Sequence, residues 1–414
     1  MSSLADSLEL SDKEWALTSF DPWDRRLNRS NIWTMYRTMR EQGAVIPSDA
    51  HPHLYSLTRY ADIKSATLDY KTFSSARGTK IGRSHTTNPP GVPLEYDPPD
   101  NNKFRSWMIA PFVPRRVGQF EPLVRAHVDK ILGGLPATKP VDVVTDIAEP
   151  LAVSVISDII GFDQEARRSN REHSLRVING TNQEYAASRE AYLEFLRDQL
   201  REAKQNPQPG LLGDLAKDLV EGGPFTDTDA ASIIQATGQA GHHTTINGIV
   251  SMMIYAGDPE LRTRWLSNGT GAVLAAFVEE VLRIDPPIHL EGRWTTASIV
   301  VSGFEIPADS QVALLYASAN HDEAQYPDPQ RFDPTRAGGH LSFGHGVHTC
   351  LGMALARLEM TVLLEQVMRR FPAYELASSP VDSGMVYGHH MGWHSLPIFV
   401  RERKLLLDLI SQPE

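Results

Sequence analysis

The chain has 414 residues, 41% of them hydrophobic, and a formal net charge of −11 at pH 7. This length can bury a large core, the negative charge argues against a nucleic-acid partner, and no stretch approaches the ~20 apolar residues of a membrane span. The single cysteine excludes an internal disulfide and fits a reducing, cytoplasmic location.

The first half of the chain contains one strand pattern, one long loop and one clear helix. The first 25 residues lack the basic and apolar regions of a signal peptide, and they predict an irregular N-terminal extension. HLYSLTRY (53–60) is typical of a strand, and the Gly/Pro-rich stretch 77–100 indicates an irregular loop. Apolar residues at helical spacing predict a helix over 188–204.

The second half contains the longest predicted helix, over 226–260. Thr226 or Thr228 can cap its start, and apolar residues repeat along it at helical spacing. Further on, 297–319 alternates polar and apolar residues about a polar turn at Pro307–Ser310, which predicts a β-hairpin. Because strand patterns are sparse elsewhere, we predict a fold that is mainly α with a small β portion (α+β).

The single cysteine lies in HLSFGHGVHTCLGMALARLE (340–359), behind two glycines and at the start of a helical pattern. Gly344 and Gly346 allow the backbone to approach a flat ligand, and a helix N-terminus favours a thiolate at Cys350. Such a thiolate is a metal ligand or a nucleophile. Zinc would need more thiols, and only His348 could serve a nucleophile as a nearby base.

This segment resembles the haem-binding signature of the cytochrome P450 family. In FGHGVHTCLG (343–352), Phe343, Gly346, Cys350 and Gly352 stand at the family's spacings. The resemblance implies haem b (iron protoporphyrin IX) as cofactor, with Cys350 as the axial ligand of the iron. A capped helix after a glycine loop is the alternative that this motif alone leaves open.

A second motif of the family is FVEEVLRIDPP (277–287), in which Glu280 and Arg283 share one helix face. By itself this is a surface pair worth a few tenths of a kcal/mol. In the family the pair is internal and bonds a later arginine, and Arg336 in RFDPTR matches that position. The resemblance therefore implies a buried three-member network.

Further matches concern the haem propionates. The resemblance assigns this role to Arg293 in EGRWTT (291–296), Arg105 in 97–116 and His348. Arginine suits a carboxylate because its guanidinium donates two bonds. Asn101 stands where many bacterial members have histidine, and it can still donate to a propionate. Each arginine taken alone is better explained as part of a solvated surface.

In the family, the middle of the long helix lies over the open face of the iron. AGHHTT (240–245) places the small Ala240 and Gly241 there, and Thr244 matches the hydroxyl that bonds iron-bound oxygen. The usual acidic neighbour is replaced by His243, which can relay protons near neutrality. Alternatively, His243 points away and water alone carries the protons, or peroxide replaces dioxygen as the oxidant.

The resemblance also implies a substrate pocket and redox partners. The segments that line the pocket in relatives bring five side chains that suit a polar, aromatic or terpenoid substrate: His85, Asn179, His289, His389 and His390. The implied electron donors are a ferredoxin and an NAD(P)H-dependent ferredoxin reductase. A basic patch of Lys103, Arg115, Arg116 and Arg357 could bind an acidic ferredoxin, or could be ordinary solvated surface.

The resemblance covers nearly the whole chain, so we expect a single P450 domain over 1–414, with a long central helix above the haem and the cysteine loop beneath it. The implied function is that of a soluble bacterial haem-thiolate monooxygenase, hydroxylating or O-dealkylating a small organic substrate. A peroxide-driven oxidant and a non-catalytic haem-binding or sensing protein are the alternatives.

Overall fold

The structure is a computed structural model that describes residues 20–49, 51–82, 90–136, 138–179, 182–267, 269–336, 338–371 and 373–401. It is mainly helical with small sheets, which confirms the predicted fold class. The single domain predicted over 1–414 stays a prediction, as does the irregular start, most of which lies outside the described residues.

The helices account for most of the described chain. They are α1 (Ile32–Gln42), α2 (Tyr60–Leu68), α3 (Asp100–Met108), α4 (Pro114–Val117), α5 (Glu121–Gly133), α6 (Glu149–Ile160), α7 (Gln164–Asn179), α8 (Asn182–Gln205), α9 (Leu211–Val220), α10 (Asp227–Ala240), α11 (His243–Gly257), α12 (Pro259–Leu261), α13 (Gly271–Ile284), α14 (Tyr316–Ala319) and α15 (Met353–Arg370). Short 3₁₀ segments cover Ala110–Phe112, Gly118–Phe120 and Gly346–His348, and π-helical segments cover Val143–Ala148 and Arg262–Leu266.

The strands are short and form four small sheets. They are β1 (Val45–Pro47), β2 (Leu54–Leu57), β3 (Phe73–Ser74), β4 (Val141–Asp142), β5 (Glu291–Thr295), β6 (Ile299–Val301), β7 (Phe304–Ile306), β8 (Gln311–Leu314), β9 (Ala373–Leu376), β10 (Val381–Val386), β11 (His390–Ser395) and β12 (Pro397–Arg401). The largest sheet has the order β1-β2-β8-β5-β3, in which only β2 and β8 run parallel.

The long helix predicted over 226–260 is present as α10 and α11, which meet at a turn at Gly241 and His242. Thr226 caps α10 through a reciprocal bond with Asp229, as its position before the helix predicts. At the turn, the Thr244 hydroxyl donates to the carbonyl of Ala240 over 2.8 Å, in place of a backbone N–H. The prediction of one continuous helix was therefore wrong at Gly241 and His242.

The hairpin predicted within 297–319 has its turn at a different place. β6 and β7 pair across Ser302 and Gly303, which both have positive φ, at 48° and 84°. Paired positive φ values match the twist of a two-residue hairpin turn. The segment Pro307–Ser310 instead leads into β8, which pairs with β2 and β5.

Among the described residues, buried apolar side chains form two clusters, and the cysteine-bearing loop is one of the segments that run between them. The larger lies among the helices from α3 to α15, and the smaller lies between α1, α2 and the five-stranded sheet. Leu341 belongs to the smaller cluster and Leu355 to the larger. The cysteine-bearing loop between these two leucines is thus fixed at both ends by hydrophobic packing.

One carboxyl group lies deep in the core. Glu359, on α15, is 2% exposed, and its Oε2 atom has no hydrogen-bond partner among the described residues. Burial raises the pKa of this carboxyl well above its ordinary value, because the charged form loses its hydration. The folded protein therefore keeps the neutral acid over a wider pH range than the unfolded chain does.

We expect Glu359→Gln to gain stability relative to the wild type as the pH rises, by about 1–3 kcal/mol between pH 5 and pH 8. In the unfolded chain the glutamate ionises near pH 4.3, so the stability from its raised folded pKa is complete below about that pH and is lost as the pH rises. Glutamine does not ionise. Urea unfolding of both proteins measures the difference, and a difference that is the same at both pH values contradicts the raised pKa.

Candidate active site

The loop that carries Cys350 is closed by its own backbone. The N–H of Cys350 donates to the carbonyl of Phe343 over 2.8 Å, and the N–H of Thr349 donates to that of Gly346 over 3.1 Å. Gly352 is the N-cap of α15. Cys350 thus lies just before the N-terminus of α15, as the sequence predicts.

Gly346 is required for a reason that the sequence did not indicate. Its φ is +70°, and a Cβ atom there would lie 2.3 Å from the carbonyl oxygen of Thr67 in α2. No side chain fits at that distance, and the left-handed backbone also favours glycine. Packing of the loop against α2, and not only the approach of a ligand, therefore demands glycine at this position.

The Cys350 side chain has accessible surface, although protein atoms surround its thiol at longer range. Burial raises the pKa of Cys350, and this outweighs the opposing effects of the Gly352 and Met353 N–H groups and the Arg105 guanidinium. The N–H groups at the start of the helix and Arg105 thus act in favour of the predicted thiolate, and burial acts against it.

His348 connects the loop to two distant parts of the chain. Its Nε2 atom lies 3.0 Å from the Ser75 hydroxyl, and its Nδ1 atom lies 3.4 Å from the Nδ2 atom of Asn101. Burial lowers the pKa of His348 to about 3, and the nearby positive charges of Arg293 and Arg105 act in the same direction. The four residues predicted for the propionates therefore lie together.

The charges of this group fit a dicarboxylate ligand. Arg293 is 2% exposed and Arg105 is half-buried, yet within the described ranges neither forms an ion pair with a carboxylate. Asn101 is fully buried, and its Oδ1 atom has no partner there. Arg105 donates to the carbonyl of Thr349 over 2.6 Å and acts electrostatically on Cys350. Cationic side chains near Cys350 match the two propionates of a haem.

Two residues near this group were missed by sequence reasoning. Ser75 is fully buried and bonds both His348 and Asp97. Glu291, two residues before Arg293 in β5, has its pKa raised to about 7 by burial. Side chains alternate along a strand, so Glu291 lies on the same face as Arg293, and the sequence could have indicated it. Nothing in the sequence indicated Ser75.

The predicted internal network is assembled as expected from the motif. Arg283 donates two bonds of 2.8 Å to Glu280, and Arg336 donates to the same carboxylate over 3.2 Å. Arg283 also donates to the carbonyls of Asn320 and Pro329. Glu280 is 4% exposed and Arg283 is 3% exposed. The pair is thus a buried, satisfied network and not a surface pair.

At the turn between α10 and α11, the two small residues have different surroundings. Ala240 has exposed surface although it lies mid-way along the predicted helix. A Cβ atom on Gly241 would instead lie 2.9 Å from the Ile156 side chain in α6. Gly241 therefore serves close packing against α6, and Ala240 is the more exposed of the two residues.

His242 and His243 are neighbours in space, which differs from the divergence expected on a regular helix. Their ring centroids lie 4.6 Å apart, because His242 has non-helical angles at the turn (φ −95°, ψ −82°). Burial lowers the pKa of His243 to about 4, and its Nε2 atom has no hydrogen-bond partner in the described part of the chain. The structure thus brings His243 next to Thr244 and holds it neutral.

The predicted substrate residues are only partly brought together. The rings of His389 and His390 lie 4.1 Å apart, centroid to centroid, and are tilted by 45°, and His243 is close enough to His390 to lower its pKa further. His289 is fully buried, with its Nδ1 atom 3.2 Å from the Tyr36 hydroxyl, so it packs inside the protein and presents no surface to a substrate. Asn179 is the last residue of α7, and His85 lies outside the described residues.

Two of the four residues of the predicted basic patch contact other side chains. Arg357 donates two bonds of 2.6 Å to Glu279, and the ammonium of Lys103 lies 5.1 Å from the ring centroid of Phe225. Arg115 and Arg116 in α4 are exposed. Those two arginines are therefore the members of the patch best able to meet a partner.

Comparisons with known proteins agree with the geometry. A cytochrome P450 family model matches residues 272–382. Erythromycin C-12 hydroxylase of Saccharopolyspora erythraea is 32% identical, over 86% of this chain and 91% of its own. Cyclomarin C epoxidase of Salinispora arenicola is 30% identical, over 84% and 90%. A solved P450BioI in complex with an acyl carrier protein superposes with a TM-score of 0.81 at 26% identity, covering 90% of this chain and 99% of that one.

Searching the described helices for a membrane span finds none that is both long and apolar enough.

Proposed function

Because this chain belongs to the cytochrome P450 family, we propose that Cys350 is the axial ligand of its haem iron and that it oxidises a small organic substrate with O₂. The protein is a P450 monooxygenase, and haem is its cofactor. The further proposal is that the reaction is a hydroxylation or an O-dealkylation, with electrons delivered by a ferredoxin and its NAD(P)H-dependent reductase.

The observation that carries this proposal is the accessible Cys350 side chain, which lies near guanidinium groups that form no ion pair with a carboxylate among the described residues. A lone thiol there would gain little as core packing, since it keeps accessible surface. As a thiolate it would suit a metal that faces it. The arginines would then balance the carboxylates of the same ligand.

The direct test supplies the protein with NADH, a ferredoxin and its reductase under ¹⁸O₂. We propose that one labelled oxygen atom appears in the product for each NADH consumed in productive turnover. An oxygenated product that carries no label, or NADH consumption that yields no oxygenated product, would count against the proposed reaction.

Some residues of this chain would bind the haem, and others would deliver protons. When bound, haem supplies the redox and oxygen chemistry. Cys350 would hold the iron through its thiolate, while Arg105, Arg293 and His348 would hold the propionates, with Asn101 donating from its amide. Ala240 is exposed at the turn. The carbonyl of Phe343 accepts the hydrogen bond from the Cys350 N–H that closes the loop.

Thr244 and His243 would serve the proton transfers that oxygen reduction requires. The Thr244 hydroxyl donates to the Ala240 carbonyl in the structure, and its oxygen can still accept a hydrogen bond. The Nε2 atom of His243 has no hydrogen-bond partner among the described residues, and a neutral imidazole can accept a proton at one ring nitrogen and release one from the other. We assign Thr244 to positioning the transferred proton and His243 to supplying it.

We expect His243→Ala and Thr244→Val, made separately, to lower the product formed per NADH consumed by about tenfold or more. NADH consumption should continue, because neither residue takes part in binding the electron donor, and hydrogen peroxide should accumulate instead. Thr245→Val is the matched control, since Thr245 is buried beside the same turn but has no assigned role. Wild-type coupling in His243→Ala would remove His243 from the proton path.

The substrate class is proposed from His389 and His390. Both rings border the region of His243, and burial lowers the pKa of His390 well below its ordinary value, so it acts as a neutral donor or acceptor. This suits a polar aromatic substrate, such as a phenol or an aromatic acid, better than a purely apolar terpenoid. A screen for type I spectral shifts with these three classes identifies the substrate.

One observation favours a second candidate reaction, in which peroxide replaces dioxygen and the electron donor. The position before Thr244 holds a buried, neutral histidine in place of a carboxylate. Turnover with hydrogen peroxide alone, at a rate equal to that with the redox partners, would favour this reaction.

A further inference from the structure

An arginine just ahead of α1 joins two carboxylates from distant segments. The guanidinium of Arg29 donates to Asp285 over 3.1 and 3.4 Å and to the Oδ1 atom of Asp382 over 3.0 Å. The backbone N–H of Arg29 donates to the other oxygen of Asp382 over 2.6 Å. The side chains of Arg29, Asp285 and Asp382 are 13%, 7% and 22% exposed, respectively. Removal of the guanidinium would therefore leave two poorly hydrated carboxylates without the cation between them.

The same guanidinium contacts both strands of the hairpin formed by β10 and β11. Asp382 lies on β10, and on β11 the carbonyl of Gly392 accepts a bond of 2.6 Å from Arg29. The ring of Trp393, the next residue, has its centroid 4.0 Å from the guanidinium carbon. A planar guanidinium can bond within its plane and stack on a ring at the same time, which an ammonium cannot do. Because the strand register shifts on both sides of Asp382, these contacts and not regular pairing fix the base of the hairpin.

The base of the hairpin is also connected to the helix that carries Thr244. The indole N–H of Trp393 donates to the Ser251 hydroxyl of α11 over 3.0 Å, and that hydroxyl donates to Asp285 over 2.6 Å. Ser251 follows Thr244 by seven residues, which places both on one face of α11. The contacts of Arg29 therefore set the hairpin against the same helix face on which Thr244 lies.

The other end of the hairpin carries His389 and His390. Its backbone is bonded to the segment 287–289, which follows Asp285 closely in the chain. His243 is near enough to lower the pKa of His390, so this end lies on the same side as the turn between α10 and α11. The two ends of the hairpin are thus both held by one short segment, the tip through backbone bonds and the base through Arg29.

We propose that Arg29 is a positioning residue for the substrate, because it sets the angle at which the hairpin presents His389 and His390. Arg29 acts through the hairpin and not by contact with the substrate. Without the guanidinium the two carboxylates repel each other and separate, while the backbone bonds of the tip remain. The hairpin then pivots about its tip, and the rings of His389 and His390 turn. This inference rests on the proposed function, in which these two histidines contact the substrate.

Arg29→Gln tests the inference in the haem-loaded protein with two probes, imidazole and 4-phenylimidazole. Both ligate haem iron through a ring nitrogen, but only the second carries a phenyl ring that extends toward the pocket wall. We expect the Kd of 4-phenylimidazole to rise about three- to tenfold, through the loss of aromatic contacts with the hairpin tip. The Kd of imidazole should change by less than about twofold. Absorption titration measures both constants, and the carbon monoxide spectrum and haem content should match those of the wild type.

Two further variants separate positioning from a general loss of stability. Arg40→Gln is the matched control, because Arg40 is a 5% exposed arginine whose guanidinium bonds Glu323 and Ser318, outside the hairpin. Its loss should lower the free energy of unfolding but leave the ratio of the two Kd values unchanged. Asp382→Ala removes the contact at the more exposed partner and disturbs the core less. It should raise the ratio by about threefold.

The outcomes distinguish this inference from the proposed function. A wild-type ratio of the two Kd values in Arg29→Gln, or in Asp382→Ala if Arg29→Gln does not fold, overturns the inference and leaves the proposed function standing. An equal rise of the ratio in Arg40→Gln also overturns it. If the wild type yields no labelled product under ¹⁸O₂, the proposed function fails. The probes require only bound haem, so they still decide whether Arg29 positions the hairpin.

Discussion

Replacing Cys350 with serine should abolish the Soret band typical of axial thiolate ligation in the reduced protein under carbon monoxide. A serine hydroxyl does not ionise near neutrality and is a poor ligand for haem iron, whereas the thiolate donates strongly to it. We expect complete loss of this band and of substrate oxidation. Absorption spectroscopy of the purified proteins measures the first, and product analysis measures the second.

The chain itself offers a matched control, since Cys350 is its single cysteine. Ser378→Cys, added to Cys350→Ser, restores one thiol at an exposed position. The double variant should remain without the band, because ligation needs the thiol in its loop and not merely a thiol in the protein. A thiolate spectrum in Cys350→Ser alone would refute the assignment of the ligand.

The second large effect is expected from Glu280→Ala, which should destabilise the protein by about 3–5 kcal/mol or prevent haem incorporation. Removal of this carboxylate leaves Arg283, which is 3% exposed, without the two bonds that balance its charge. Arg336 loses its contact with the same group. Urea unfolding and the haem content of the purified protein measure the effect.

The neighbouring Glu279 provides the control for this prediction. It makes a bidentate pair with Arg357, but its side chain is 39% exposed and water can replace the lost bonds. Glu279→Ala should therefore cost no more than about 1 kcal/mol. Equal stability of the two variants would mean that burial does not decide the strength of the Glu280 network.

Features that depend on neighbours in the sequence could be predicted from the sequence. The cap at Thr226, the position of Cys350 before α15 and the shared helix face of Glu280 and Arg283 all follow from spacing along the chain. The same holds for Tyr192 and Leu196 on the predicted helix 188–204, which are fully buried on one face of α8. Such features require only local backbone geometry.

Features that join distant segments were decided by packing. Ser75 reaches His348 across 273 positions, and Glu149 reaches His242 from a different helix. No spacing rule predicts either contact, because each depends on how whole helices and loops are seated against each other. The same packing buried His289, which the resemblance had placed on the pocket wall.

The sequence by itself determined the class of fold, the thiol loop with its following helix, and the residue types that suit a haem. Only the tertiary structure decided which of those side chains are buried, which are paired, and that the Glu149 carboxylate lies next to His242 at the turn. The physical reason is that a spacing rule acts within a few residues, whereas desolvation and charge pairing arise from segments brought together when the chain folds.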